Sequence, residues 1–244
     1  MNNIKIIIDK LNNSNYCVAF TGAGISTESG IPDFRSKDGL YSKISPEVFD
    51  LQLFHSKPEV FYNFFKETLN KFVKYQPNIT HKVLAELEKK GIIKSVITQN
   101  IDNLHQKAGS INVFEVHGSL QTAHCINCNK QFDYKYLENE LLNNNKDIVL
   151  CDKCNSLVKP DIIFFGESLP EDFNLGLAEI QKSDLLLILG TSLQIYPAGS
   201  MPMYANGEII VINKEPTPID NKASIVIHDS LGNVFNQIAK ELNL

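Results

Sequence analysis

The sequence predicts an α/β fold: a doubly wound parallel sheet with a second, smaller domain beside it. Three observations carry this expectation. Short β-branched apolar runs alternate with helical patterns along most of the chain. The first run opens into a glycine turn, Gly22-Ala23-Gly24. Two stretches, 37–76 and 121–158, interrupt the alternation, and the second holds two Cys-x-x-Cys pairs.

Taken in order, Tyr16-Cys17-Val18-Ala19-Phe20 reads as a buried strand, with Cys17 a small apolar residue inside it. Gly22 and Gly24 then let the chain turn tightly and approach a ligand closely. A helix starting at about Ile25 would aim free N–H groups and a positive dipole end at a phosphate. Strand, turn and helix start make a pyrophosphate cradle. Thr27 stands where a dehydrogenase fingerprint has its third glycine, and no acidic residue closes a second strand about twenty residues on. A loop follows instead, Gly30-Ile31-Pro32-Asp33-Phe34-Arg35. The pattern predicts a dinucleotide that is consumed, and disfavours a hydride-transferring oxidoreductase.

The stretch from Ser36 to Gln76 is rich in aromatics (Tyr41, Phe49, Phe54, Phe61, Tyr62, Phe64, Phe65, Phe72), with helical spacing from Pro58. Thr80 is placed to cap a helix through Val83, Leu84, Leu87 and Lys90, which Gly91 closes. Further strands are expected at Ser95–Thr98, Val113–Val116, Ile162–Phe165, Leu185–Leu189, Ile209–Ile212 and Ile225–Ile227. Helices are expected over Leu175–Lys182 and Val234–Leu242. Fully apolar runs of this length fit strands covered on both faces, whose carboxyl ends face the ligand.

At that edge Gln99-Asn100-Ile101-Asp102 follows one strand and His117-Gly118 another. Asn100 can orient a hydroxyl or water, and Asp102 can accept from a carboxamide N–H. His117 titrates near neutrality and can act as a general base, with Gly118 leaving room beside it. His55, His81, His105, His124 and His228 read as structural. Cys125, Cys128, Cys151 and Cys154 form two knuckles supplying a closed tetrahedral thiolate shell, which selects one structural zinc.

Bulk properties narrow the classes. The 244 residues are 43% hydrophobic and 21% charged, with a net charge of −5. An acidic balance argues against binding to a nucleic-acid backbone. No apolar run reaches the roughly 20 residues of a membrane span, and Met1–Lys10 lacks the pattern of a secretory signal. Paired cysteines used for metal fit a reducing compartment. A soluble cytoplasmic protein is expected.

The runs Thr21–Arg35, Thr98–Gly109, His117-Gly118, the paired cysteines, Lys159–Glu167, Gly190-Thr191-Ser192-Leu193 and Ile212-Asn213 occur in the order seen in the sirtuins. The chain resembles a compact bacterial-type member of this Sir2 family of NAD-dependent protein lysine deacylases, over essentially its whole length. The resemblance implies a Rossmann-like NAD-binding domain from 1–36, 77–120 and 159–244. A small domain would combine the helical insert 37–76 with the zinc ribbon 121–158. NAD and an acyl-lysine peptide would meet in the cleft between them. It assigns Gly22, Ala23, Gly24, Thr27, Phe34 and Arg35 to the cofactor loop. Gln99, Asn100, Ile101, Asp102 and His117 would line the nicotinamide and its ribose, with His117 and Asn100 catalytic. Gly190, Thr191, Ser192, Asn213 and Leu231 would hold the adenosine half. Phe165, Gly166 and Glu167 would bind the substrate peptide, with Gly166 and Glu167 where the family pairs it as an added strand.

The implied products are nicotinamide, free lysine and O-acyl-ADP-ribose. A monomer without nucleic-acid or membrane partners is expected. The desuccinylating branch of the family reads acidic chains with Tyr-x-x-Arg. Here Tyr62 is followed by Phe65 at the arginine position, and Phe61, Phe64 and Phe65 imply an apolar setting, so neutral acyl chains are expected over succinyl. The competing readings are an NAD glycohydrolase or ADP-ribosyltransferase on the same scaffold, and a zinc-ribbon binding module.

Overall fold

The computed structural model describes the chain apart from Met1, Asn2, Lys37, Asp38, Lys43 and Val73; of residues 68–72 it describes the backbone alone. Part of the expected insert 37–76, including the Phe72 side chain, therefore lies outside the described residues. The order is α1 (Asn3–Asn13), β1 (Cys17–Thr21), α2 (Leu51–Ser56), α3 (Pro58–Phe72), α4 (Ile79–Lys89), β2 (Ile93–Thr98), α5 (Leu104–Ala108) and β3 (Val113–Glu115). Then come β4 (Gly118–Cys125), β5 (Gln131–Asp133), α6 (Tyr134–Glu138) and β6 (Val158–Ile162). The chain ends with α7 (Glu171–Lys182), β7 (Leu185–Leu189), β8 (Glu208–Ile212), β9 (Ile225–Ile227) and α8 (Leu231–Glu241).

Six strands form one parallel sheet in the order β3-β2-β1-β7-β8-β9. Every residue of β1 and β7 is buried, as expected of strands covered on both faces. Ile7 and Leu11 of α1, Leu84 and Leu87 of α4, and Phe235 and Ile238 of α8 belong to the core on one face. Ile180 of α7, Met201 and Ile219 belong to the core on the other. The order reverses beside β1: the chain first builds outward through β2 and β3, then returns to add β7 on the opposite side. Thr21 pairs with both Thr98 and Leu189, so three strand ends align where the crevice of such a sheet opens.

A second, three-stranded antiparallel sheet, β5-β4-β6, packs with α2, α3 and α6. Its core is aromatic. Phe61 and Phe65 stack at 5.1 Å, Phe54 meets Phe164 edge-on at 5.4 Å, and the Tyr62 hydroxyl donates to the Val158 carbonyl. Phe61 and Phe65 are thus core residues, and Phe64 packs edge-on against Phe49 at 5.4 Å.

Three expectations are corrected. The run Ile162–Phe165 is not a strand of the parallel sheet. The strand there is β6, which pairs with β4, and Phe165 lies outside it, forming an isolated bridge to Asp50. Its apolar residues feed the aromatic core, a difference that a short hydrophobic run does not encode. Asn78, not Thr80, caps α4: its side chain accepts from Thr80 N at 3.0 Å and His81 N at 3.4 Å, while Thr80 is buried inside the helix. The helix after the glycine turn is a seven-residue 3₁₀ segment, Ala23–Ser29, closed by Gly30 at φ +95°.

Candidate active site

The crevice is lined by the segments that leave β1, β2, β3 and β7. The two glycines after β1 are required by chain packing. A Cβ on Gly22 would lie 2.6 Å from Thr191 Cβ, and one on Gly24 would lie 2.7 Å from the Gly190 carbonyl oxygen. Gly24 N donates to that oxygen at 2.8 Å, so the loop after β1 seats directly on the loop after β7. This joins Gly22, Ala23 and Gly24 to Gly190 and Thr191. The expectation that these glycines serve ligand approach misses this contact. Thr27 turns its hydroxyl back to the Gly24 carbonyl at 2.9 Å. Phe34 is half-buried against Tyr41 at 5.2 Å, and the exposed Arg35 places its guanidinium 5.8 Å from the Tyr41 ring centroid.

Gln99 ties the crevice floor together. Its backbone N–H donates to the Thr21 carbonyl at 3.0 Å and its side-chain amide to Thr191 Oγ1 at 2.9 Å. Asn100 is buried and donates to the Gly22 carbonyl and to Ser26 Oγ, both at 3.2 Å. Asp102 is also buried; its Oδ2 accepts from Ser26 Oγ at 2.6 Å and its Oδ1 from Leu104 N at 2.9 Å. Burial pushes this carboxyl above its usual range, and the Ser26 and Leu104 bonds oppose that rise.

His117 sits half-buried just past β3, with Nδ1 2.9 Å from the Gln99 carbonyl oxygen. A carbonyl only accepts, so Nδ1 carries the proton and Nε2 is left as the basic nitrogen. Burial lowers the imidazole's pKa, and the Gln99 bond partly restores it. Gly118, at φ +77°, is closed against the Asp161 backbone, where any side chain would collide. Packing alone thus demands glycine there, whatever room it also leaves for a ligand.

Of the adenosine-side candidates, Thr191 lies in the crevice, Ser192 is half-buried beside it, and Asn213 follows β8, donating to the Glu215 carbonyl at 2.6 Å. Leu231 begins α8 and belongs to the main core. Phe165 and Gly166 are exposed next to the aromatic core, and Glu167 turns inward to Lys159 at 2.9 Å.

Sequence reasoning left Ser26 without a role, although it lies within the run Thr21–Arg35. It also missed the contact of Thr21 Oγ1 with His105 Nε2 at 3.0 Å. His105 and His81 are buried edge-on at 4.9 Å, each with one ring nitrogen unpartnered, and burial holds both neutral, His81 down to about 4. Both are enclosed in the interior and incompletely hydrogen-bonded among the described residues.

The four paired cysteines converge. Their Sγ atoms all lie within 4.8 Å of one another, with Cys125–Cys154 at 3.3 Å and Cys128–Cys151 at 3.7 Å. Tetrahedral zinc at about 2.3 Å from each sulfur needs separations of this order. Each knuckle closes on an asparagine of positive φ, Asn129 and Asn155, whose N–H donates to the first cysteine's carbonyl at 3.0 and 2.9 Å. The donor set fits one structural zinc.

Comparison with known proteins agrees with this architecture. The Sir2 family model matches residues 22–197. The chain is 44% identical over 228 residues to an NAD-dependent protein deacetylase of Thermotoga maritima, covering 91% of each. It is 44% identical over 251 aligned positions to one of Clostridium tetani, covering 99% of each. A Sir2 variant with deacetylated p53 peptide and 3′-O-acetyl ADP-ribose superposes with TM-score 0.93 at 40% identity over 98% of both chains. A Sir2 structure bound to a propionylated peptide superposes with TM-score 0.90 at 39% identity, covering 100% of this chain and 99% of that one. A six-stranded parallel sheet, a four-cysteine ribbon and these matches lead to one conclusion: the chain belongs to the Sir2 family.

Proposed function

We propose that this chain, an NAD-dependent protein deacylase, removes neutral acyl groups from lysine in preference to succinyl and releases nicotinamide, free lysine and O-acyl-ADP-ribose. The observation that carries the acyl preference is that Arg35 is the only arginine in the sequence, and it lies on the loop after β1, beside Tyr41. The tyrosine of the acidic-chain signature, Tyr62, has its hydroxyl engaged on the Val158 carbonyl, and Phe65 is core. A succinyl carboxylate would enter without a guanidinium fork, and burying it unpaired is costly. An acetyl or longer neutral chain avoids that cost.

The crevice residues fit NAD. Gly22, Ala23, Gly24, Thr27, Phe34 and Arg35 would cradle and cover the pyrophosphate side, and Gly190, Thr191, Ser192, Asn213 and Leu231 would hold the adenosine half. NAD supplies a ribose carbon made electrophilic as nicotinamide leaves. Ile101 and Asp102 would hold the carboxamide, Gln99 and Asn100 would orient ribose hydroxyls, and Phe34 would exclude water. His117, with Nδ1 anchored on Gln99, would take a hydroxyl proton at Nε2. Phe165, Gly166 and Glu167 would carry the peptide. Residues 1–36, 77–120 and 159–244 would serve as the NAD-binding unit, with 37–76 and 121–158 as the small domain. Cys125, Cys128, Cys151 and Cys154 would hold zinc for structure, because four thiolates leave no open coordination position.

The test is mass-spectrometric product analysis with NAD and one peptide carrying acetyl, succinyl or myristoyl lysine. Peptide-dependent nicotinamide release with acetyl far ahead of succinyl is expected. Succinyl turning over fastest would overturn the acyl reading. Nicotinamide release that ignores the peptide would make the chain a glycohydrolase.

A further inference from the structure

Lys159, on β6, has only 3% of its side chain exposed. A buried ammonium is tolerated where its donors are all engaged. Here Nζ donates to the Ile162 carbonyl at 2.7 Å and the Pro160 carbonyl at 3.1 Å, and pairs with Glu167 Oε2 at 2.9 Å. It also lies 4.3 Å from the Phe164 ring centroid, a cation–π distance. The same Glu167 oxygen accepts from Phe164 N at 2.7 Å, and Glu167 N donates to the Phe164 carbonyl at 3.1 Å. Residues 164–167 are thereby closed into a small ring, with the Lys159 ammonium against its Glu167 carboxylate and Phe164 ring.

The other flank of this segment is fixed separately. Phe165 N donates to the Phe49 carbonyl at 2.8 Å, and Leu51 N donates to the Phe165 carbonyl at 3.1 Å. Between the two anchors, Phe165 and Gly166 stay exposed, Gly166 at φ +95°. A strand offered to a peptide must hold its backbone in register before the peptide arrives, because disorder there would weaken binding.

We propose that Lys159 is a positioning residue for the acyl-peptide: through Glu167 it holds residues 164–167 in the conformation that presents the Gly166 backbone to the substrate strand. The inference rests on the reading of 165–167 as the peptide-binding segment, and it gives Glu167 a new part. Its carboxylate is turned inward to Lys159 and Phe164 and is not offered to substrate. Among the described residues neither the Lys159 nor the Glu167 side chain bonds directly to a residue of the NAD crevice; the nearest link is the Ile162–Ile163 peptide, whose carbonyl accepts from Lys159 and whose N–H donates to the His117 carbonyl at 2.8 Å.

Steady-state kinetics of Lys159→Met, Glu167→Gln and the double variant, with peptide and NAD varied in turn, test this. Each single variant is expected to raise the peptide KM about tenfold, as loss of a charge-assisted bond does, and to leave the NAD KM within about twofold. The double variant is expected to be no worse than the worse single, since both break one clamp. Equal increases in both KM values, or losses that multiply in the double variant, would overturn the proposal. Should Lys159→Met fail to fold, Glu167→Gln reads the same clamp from its other end by the same split. Peptides N-methylated beside the acyl-lysine separate the two readings in the wild-type enzyme. Indifference to methylation would show that 165–167 is not a peptide strand. Sensitivity to methylation with an unchanged peptide KM in Lys159→Met would overturn the role of Lys159 alone.

Discussion

Ser26 Oγ donates to Asp102 Oδ2 at 2.6 Å, joining the loop after β1 to the loop after β2 inside the crevice. Asn100 donates to the same hydroxyl at 3.2 Å. Ser26→Ala removes a donor from a buried carboxylate whose pKa burial already raises, and takes an acceptor from the Asn100 amide. A hydrogen bond to a charged group contributes about 1.5–3 kcal/mol, so kcat/KM for NAD is expected to fall roughly 10- to 150-fold. Titrating NAD at saturating acetyl-peptide measures it. An unchanged kcat/KM would show that the Ser26 hydroxyl does not hold Asp102 in its working state.

His117→Ala is expected to keep NAD affinity within a few fold and to lose roughly 10²- to 10⁴-fold in turnover, the usual worth of a general base. Calorimetric NAD binding beside a deacetylation assay separates the two. The wild-type pH profile adds a second check. Burial lowers the imidazole's pKa, with the Gln99 bond opposing it, so the basic form persists below the ordinary histidine value of about 6.5. The acid limb of kcat/KM should therefore fall below that pH. A limb above it would assign the titration to another group.

Much of this site is legible in the sequence alone. Apolar runs locate the strands of the parallel sheet, and Cys-x-x-Cys spacing locates all four sulfurs, because both patterns are local. The failures are non-local. Ile162–Phe165 looks like any buried strand, and only its pairing with β4 and the aromatic core reveals otherwise. Asn78 and Thr80 are both acceptable caps, and the choice between them is set by Asn78 also donating to the Ile25 carbonyl at 2.7 Å. Ser26–Asp102 and Lys159–Glu167 join residues whose spacing follows no helix or strand period. The tight turn at Gly22 and Gly24 is legible locally but its packing cause is not, since Gly190 is 166 and 168 positions away along the chain from Gly24 and Gly22.

Cys151→Ser tests the metal site. Three thiolates and a hydroxyl bind zinc far more weakly than four thiolates, and structural zinc contributes about 10 kcal/mol or more to small folding units at neutral pH. The aromatic core around Phe54, Phe61 and Phe164 shares the work of holding this region, so partial folding is expected to survive. The variant should show substoichiometric zinc by mass spectrometry and a Tm lower by about 10 °C or more. Wild-type zinc content with wild-type Tm would remove Cys151 from the ligand set.

Glu115, at the end of β3, gives a stability signature in pH. Burial pushes its carboxyl up from 4.5 to about 7, against hydrogen bonds from Ser119 and Gln106, while Asp172 and Asp102 add to the rise. Between those two values the folded chain keeps a proton that the unfolded chain has lost. The folded state then binds more protons, so stability falls as pH rises through the window. The span sets a ceiling of about 3 kcal/mol. Glu115→Gln mimics the protonated side chain and removes this dependence. Its Tm should match wild type at pH 5 and exceed it by roughly 3–8 °C at pH 8.5, where wild type carries a half-buried charge. Thermal melts of both proteins across that range decide the matter. A Tm difference that stays constant with pH would mean that Glu115 ionises equally in the folded and unfolded chains.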